Sequence, residues 1–174
     1  MPREILFLRT AAANLQERDP HLTHQGILQA ESLRGALGSL TEYDGILCSP
    51  LARAYETLED GIPGIEVFPV YLDDRLMDIQ TEICNCRADL LVLQTRVPRR
   101  WILTGLAEEN PFGRERGLEE RVREFGEYLA ERWAGKRLLV VGHYDWIREW
   151  FRQSGWCGDL SLSNCDIVRW SMKR

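Results

Sequence analysis

No apolar run in this 174-residue chain approaches the roughly 20 residues that a membrane-crossing helix needs, so no membrane partner is expected. Basic runs are missing as well. Lysine and arginine number 22 against 27 acidic residues, a net charge of −5, which argues against binding driven by nucleic-acid phosphates. The start, Met1-Pro2-Arg3-Glu4, passes straight into a strand-like run and lacks the charged, apolar and small-residue order of a secretion signal. The five cysteines (Cys48, Cys84, Cys86, Cys157, Cys165) are therefore expected as reduced thiols in a cytoplasmic protein, not as a disulfide framework. Cys84 and Cys86 form a C-x-C, but no second close pair or nearby histidine completes a zinc set. No metal and no cofactor are expected. Internal repeats and low-complexity segments are also absent.

What is present is ordinary for a globular protein: 44% apolar and 28% charged residues. At about 150 residues per domain, the length predicts a single domain over residues 1–174. A chain of this size buries about 70% of its unfolded surface and needs no covalent staple.

Short apolar runs alternate with helical patterns. Glu4 to Arg9 reads as a buried strand, as do Gly45 to Cys48 and Arg137 to Gly142, the last carrying the strongest signal. Thr23 opens a helix whose Ile27, Ala30, Leu33, Leu37 and Leu40 recur on one face. Leu51 to Asp60 predicts a second helix, ended by Gly61 and Pro63. Ile65 to Leu72 predicts a third strand, which Pro69 marks as short or at an edge. Residues 73–117 form an irregular insertion with at most one or two short helices, the best around Ala88 to Gln94. Leu118, Val122, Phe125, Leu129 and Trp133 mark a long amphipathic helix, Tyr144 to Gln153 another, and Asp166 to Met172 a last strand. Most of the six tryptophans fall on core-facing positions, while Trp101 and Trp156 lie in irregular regions and are free to line a pocket or a contact.

Strands alternating with helices imply an α/β fold: a mostly parallel central sheet with helices on both faces. Such sheets bind ligands beyond the carboxyl ends of their strands. Arg9-Thr10, Ser49 and His143 stand just past three of the predicted strands, and Arg53 lies one helical turn beyond Ser49. Two guanidiniums and an imidazole at one rim suit a phosphate or carboxylate.

At these residues the sequence resembles the histidine phosphatase superfamily, with its phosphoglycerate mutase-like fold, along nearly its whole length. Asp19-Pro20-His21-Leu22-Thr23, with Gly26 and Gln29-Ala30, is similar to the family's entry into its first helix. Ser49-Pro50-Leu51-Ala52-Arg53-Ala54 with Thr57 resembles its S-P-L-x-R-A-x-x-T motif. Val140-Val141-Gly142-His143 with Ile147-Arg148 resembles the surroundings of its second histidine, and Leu162-Ser163-Asn164-Cys165 the entry to its last strand.

The resemblance implies phosphoryl transfer through a phosphohistidine. It gives Arg9, Arg53 and His143 the role of holding phosphoryl oxygens, and Asp78 that of the leaving-group acid. Asn14 stands in for a family asparagine, although it comes earlier than usual. Where the family has Arg-His-Gly, however, this chain has Arg9-Thr10-Ala11. A threonine hydroxyl is hardly nucleophilic without an adjacent base, and Ala11 adds a Cβ where a glycine is usual. His24 falls at a position the family leaves free. Asp145 reads as the N-terminal charge of the helix after His143.

The first expectation is a pseudoenzyme that binds a phosphorylated or other small anionic ligand, or a protein partner, at Arg9, Thr10, Asn14, Arg53 and His143. A second is a repurposed enzyme in which His143 with Asp78 or Asp145 does acid–base work on an anionic molecule. A third is weak phosphatase activity through His143.

Overall fold

The computed structural model describes residues 1–79, 82–111 and 117–172. Residues 80, 81 and 112–116 of the expected insertion lie outside the described residues. Six strands form one sheet: β1 (Glu4–Arg9), β2 (Gly45–Cys48), β3 (Val70–Asp73), β4 (Ile102–Gly105), β5 (Arg137–Gly142) and β6 (Ile167–Ser171). Their order is β4-β3-β2-β5-β1-β6, parallel except for β6, which runs antiparallel beside β1. The helices are α1 (His24–Glu31), α2 (Ala52–Gly61), α3 (Leu90–Arg96), α4 (Leu118–Arg132) and α5 (Tyr144–Gln153).

The two-residue alternation of each strand feeds two cores. Ile5, Phe7, Leu47, Leu138 and Val140 face α4 and α5, meeting Phe125, Leu129, Trp146 and Trp150. Leu6, Leu8, Ile46, Cys48, Leu139 and Val141 face the other way, toward Ala54, Tyr55, Leu58 and Leu93 from α2 and α3. Each fully buried aliphatic or aromatic side chain contributes about 1.5–3 kcal/mol, so strands buried on both faces are strongly fixed in place. Among the described residues no helix is long and apolar enough to cross a membrane.

Three expectations need correction. The first helix stops at Glu31, because Gly35 and Gly38 take positive φ (84° and 70°) and redirect the chain. Leu33 and Leu37 still reach the core, but through turns; Ile27 is exposed, and Leu40 belongs to a separate 3-10 turn. The third strand begins only at Val70. Gly64, at φ 84°, opens a 3-10 turn over Ile65–Val67, and Pro69 immediately precedes the pairing residues. That strand is short but internal, since β4 covers its outer side. The segment expected to be irregular thus supplies a strand, one too short and too exposed to show an alternation. Trp101 is buried in the core beside α2 and α3, whereas Trp156 is exposed and edge-on to Phe151.

The link between β1 and α1 is tightly packed. Thr23 caps α1, accepting from the Gly26 amide at 3.0 Å and donating to the Ala12 carbonyl at 3.2 Å. A Cβ on Gly26 would stand 2.1 Å from that carbonyl oxygen. Gly26→Ala is therefore expected to destabilise the protein by about 1–3 kcal/mol, since backbone must move to make room. Urea denaturation of both proteins measures it, and an unchanged midpoint would contradict this packing.

Candidate anion site

Parallel pairing sets the rim. Arg9 lies opposite Gly142, and Cys48 opposite Val141, so the carboxyl ends of β1, β5 and β2 stand level. The ladder continues one step: Thr10 donates its amide to Gly142 and Ser49 its amide to Val141, both at 3.0 Å. His143, at the end of the middle strand, is thereby flanked by Thr10 and Ser49.

Arg9 is half-buried. Its guanidinium donates to the Leu162 carbonyl and lies 5.2 Å from the ring centre of Tyr144. Thr10 is buried, and its carbonyl accepts from the Asn164 side-chain Nδ2 at 2.8 Å. Thr57 joins this strand end to α2: its hydroxyl accepts from the Ala11 amide at 2.9 Å and donates to the Arg53 carbonyl at 2.5 Å.

Arg53 is only 4% exposed. Its guanidinium donates to the Cys84 carbonyl at 3.0 Å and to Asn85 Oδ1 at 2.6 Å, and lies 3.5 Å from Asp78 Oδ2. Burial lowers its pKa, and the Asp78 carboxylate opposes that most strongly. Asn85 in turn donates to the Ile79 carbonyl at 2.6 Å, so Arg53, Asn85 and Ile79 are joined in one chain of hydrogen bonds.

His143 is buried, with Nε2 2.8 Å from the Ser49 hydroxyl and Nδ1 3.9 Å from Asp78 Oδ2. Burial, then Arg53, Arg121 and Arg9, hold its pKa well below the usual histidine value. The ring is neutral at pH 7. Ser49 Oγ also accepts from the Leu51 amide at 3.4 Å.

Asp78 is set by Arg121. That arginine is 3% exposed and donates to the carbonyls of Asp78 at 2.8 Å, Met77, and Arg75 at 3.3 Å. Burial raises the Asp78 pKa, and Arg53 is the foremost opposing influence. Among the described residues its buried Oδ1 accepts no well-formed hydrogen bond, while the Ile79 amide also lowers the carboxyl pKa.

Of the residues named from sequence, Arg53, Asp78 and His143 meet, with Arg9 and Thr10 on the adjoining strand end. Asn14 is exposed, and its side chain bonds Glu17 at 2.8 Å and the Gln16 amide at 3.3 Å. His21 is exposed and paired with Glu56; His24 is an exposed first residue of α1. Asp145 sits in the first turn of α5, 3.2 Å from Arg148, and still raises the Asp78 pKa. Sequence reasoning missed Arg121 and Asn85. Arg121 had a signal, since a charged residue stands among Leu118, Val122 and Phe125 on the apolar stripe of α4. Asn85 had none. Among the described residues no cluster of histidine, cysteine or carboxylate side chains is arranged to hold a metal ion.

The model of the histidine phosphatase superfamily (branch 1) matches residues 9–158, a span that includes all of these rim residues. The chain belongs to the histidine phosphatase superfamily. Similar solved structures include a phosphoserine phosphatase from Entamoeba histolytica in complex with 3-phosphoglyceric acid, 18% identical, with a TM-score of 0.60 over 97% of this chain and 90% of the other. A mycobacterial glucosyl-3-phosphoglycerate phosphatase is 20% identical, with a TM-score of 0.63 over 96% and 89%. The same phosphatase in complex with VO3 gives 16% identity and a TM-score of 0.64 over 96% and 92%. At these identities the likeness establishes the histidine phosphatase fold. No curated protein sequence matches the chain.

The neutral, buried His143 has a consequence for pH dependence. Below the ordinary histidine pKa the unfolded chain binds a proton that the folded chain refuses, so this group's stabilisation is lost as pH falls from about 6.5. Its contribution reaches about 1.4 kcal/mol per pH unit. Asp78, raised by burial, and Glu59, raised to about 7, act in the opposite direction over their own windows. The difference between wild type and His143→Gln isolates the histidine. Chemical denaturation from pH 7.5 to 5 should show wild type losing more stability than the variant, and parallel profiles would refute a buried neutral ring.

Proposed function

We propose that this histidine-phosphatase-fold protein binds a phosphorylated or other anionic small molecule at the Arg9, Arg53 and His143 rim, without a phosphohistidine nucleophile. One observation carries the reading. Arg53 and His143 converge on a single carboxylate oxygen at the strand rim, while the residue beside Arg9 is a threonine. In the family pattern the residue after that arginine is the nucleophilic histidine. The 3-phosphoglyceric acid held by the similar Entamoeba histolytica phosphatase fits this chemistry of the rim.

Arg9 and Arg53 offer fixed guanidiniums to the oxygens of a tetrahedral anion, and the neutral His143 ring lies beside them. Thr10 has no histidine bonded to it: Nε2 of His143 is engaged by Ser49. Without an adjacent base its hydroxyl attacks poorly. Losing a nucleophile that works as part of a unit costs on the order of 10⁶ in turnover. What remains is binding. The same engagement of Nε2 speaks against a phosphatase working through His143.

A second reading is favoured by the 3.9 Å between His143 Nδ1 and Asp78 Oδ2. With the histidine pKa lowered and the carboxyl pKa raised, a proton could pass between substrate and this pair near neutral pH. A metabolite screen showing turnover that both His143→Gln and Asp78→Asn abolish would favour it over binding alone.

Two outcomes test the first reading. Phosphate or vanadate at about 100 times Kd should stabilise the wild type by roughly 2.7 kcal/mol, a thermal shift of several degrees. Arg9→Ala should lose most of that shift; equal shifts would put the anion elsewhere. The second concerns restoration. Thr10→His with Ala11→Gly should gain measurable hydrolysis of an aryl phosphate, and more than Thr10→His alone, because roughly 1 Å of misplacement can cost about 100-fold. Adding Asp78→Asn should remove activity on an alkyl phosphate, whose leaving group needs a proton, more than on the aryl ester. A folded double variant inactive on both esters would mean that the site differs from a phosphatase by more than its nucleophile.

A further inference from the structure

Arg9 is the rim arginine least tied to the fold, so whatever holds it in place decides how well it meets a ligand. Among the described residues its guanidinium makes one hydrogen bond, from a terminal nitrogen to the Leu162 carbonyl. An arginine presents five N–H donors in a planar fork. One pinned donor orients the group and leaves the others for an oxyanion. A single bond is nevertheless a weak hold on so long a side chain, whose rotamer entropy is large.

Tyr144 supplies a second hold by two routes. β1 and β5 pair in parallel with Arg9 opposite Gly142, so the first residue of α5, two positions on, stands beside the arginine. Its ring centre lies 5.2 Å from the Arg9 guanidinium carbon, within cation–π range. Its hydroxyl donates to the Leu160 carbonyl at 3.0 Å. Leu160 opens the stretch that carries Leu162, the partner of Arg9. The far end of that stretch is fastened to β1: Asn164 Nδ2 donates to the Thr10 carbonyl at 2.8 Å, and the Cys165 amide to the Arg9 carbonyl at 3.1 Å. One tyrosine thus packs on the guanidinium and ties down the near end of the segment to which it is bonded. Arg148 lies 5.6 Å from the same ring centre, but it is exposed and has its own counter-charge in Asp145, at 3.2 Å.

We infer that Tyr144 is a positioning residue of the anion site: it fixes the Arg9 guanidinium at the strand rim, and anion affinity depends on it through Arg9. The effect on affinity deepens the anion-binding reading above and rests on it; the hold on Arg9 stands apart from any ligand. A cation–π contact of this exposure shifts an equilibrium by about two- to fivefold, and one neutral hydrogen bond by about fivefold. Tyr144→Phe keeps the ring and loses the tie to Leu160, so it should weaken phosphate binding about two- to fivefold. Tyr144→Leu loses both and should weaken it about tenfold.

Calorimetric titration with inorganic phosphate at fixed ionic strength measures these losses, with unfolding midpoints confirming that each variant folds. A double-mutant cycle separates positioning from packing: in an Arg9→Ala background, adding Tyr144→Leu should change phosphate affinity by less than about twofold. The second readout needs no ligand. The Arg9 Nε–H resonance in a ¹⁵N spectrum, assigned by its loss in Arg9→Ala, should be resolved in wild type and Tyr144→Phe and broadened by exchange with water in Tyr144→Leu. A Tyr144→Leu protein that binds phosphate as the wild type does, an equal loss in both backgrounds, or an unchanged resonance would overturn the positioning role. So would a loss in Arg148→Gln as large as that in Tyr144→Leu. Failure of the wild type to bind phosphate would instead overturn the anion-binding reading, with the resonance still deciding whether Tyr144 holds Arg9.

Discussion

The buried guanidinium of Arg53 sets the terms for everything around the site. A charge withdrawn from water must be matched by hydrogen bonds and opposite charge, and removing one partner of a buried pair costs about 3–5 kcal/mol. Here the partners are the Cys84 carbonyl, Asn85 and Asp78. These residues must pack against α2 for the arginine to be tolerated. Asp19 reinforces the arrangement from the other side, accepting from the Ala52 amide at the start of α2 at 2.8 Å and from the Ala88 amide at 2.9 Å. It does so at φ 43°, an uncommon backbone conformation outside glycine.

The same logic explains which parts of the structure could be read from sequence. β1, β2 and β5 are buried on both faces, so their apolar runs announce them, and their last residues point to Arg9, Ser49 and His143. The chain from Asp74 to Ala107 is fixed differently. Arg87, fully buried, donates to Asp74 at 2.7 and 3.2 Å and to the carbonyls of Ala88 and Ala107; the Ala107 amide donates back to Asp74 at 2.8 Å. A polar network of this kind has no periodicity. It fixes β4 and the Asn85 turn without leaving a pattern that propensity or alternation could reveal.

The limits at the site have equally specific causes. Asp78 was placed by resemblance alone, and its position depends on Arg121, forty-three residues away along the chain. Arg121 broke the apolar stripe of α4, which is the mark of a buried charge with a purpose, yet its targets are backbone carbonyls that no sequence pattern identifies. Asn14 was the converse: a residue type fitting the family pattern, one early in the count, whose side chain the loop uses for its own turn. The long first helix failed through its glycines, because Leu33 and Leu37 keep a helical spacing across turns that are not helical.

These dependencies bear on how the threonine beside Arg9 should be read. Arg53 ties α2 to Cys84 and Asn85, and Arg121 ties α4 to Arg75 and Asp78, so the fold needs them whether or not a ligand binds. His143 is likewise packed and bonded to Ser49. Their retention therefore says little about function. Arg9 is different. It is half-buried, its guanidinium is held by one backbone carbonyl and lies near Tyr144, and among the described residues no buried carboxylate is paired with it. A cation kept at the carboxyl end of a central strand, beside a threonine, has weaker structural reasons to be there than Arg53 has. Of the rim residues it is the one whose substitution perturbs the fold least while removing a charge that an anion would meet. Arg9, more than the buried arginine at the centre of the network, is where binding can be separated from folding.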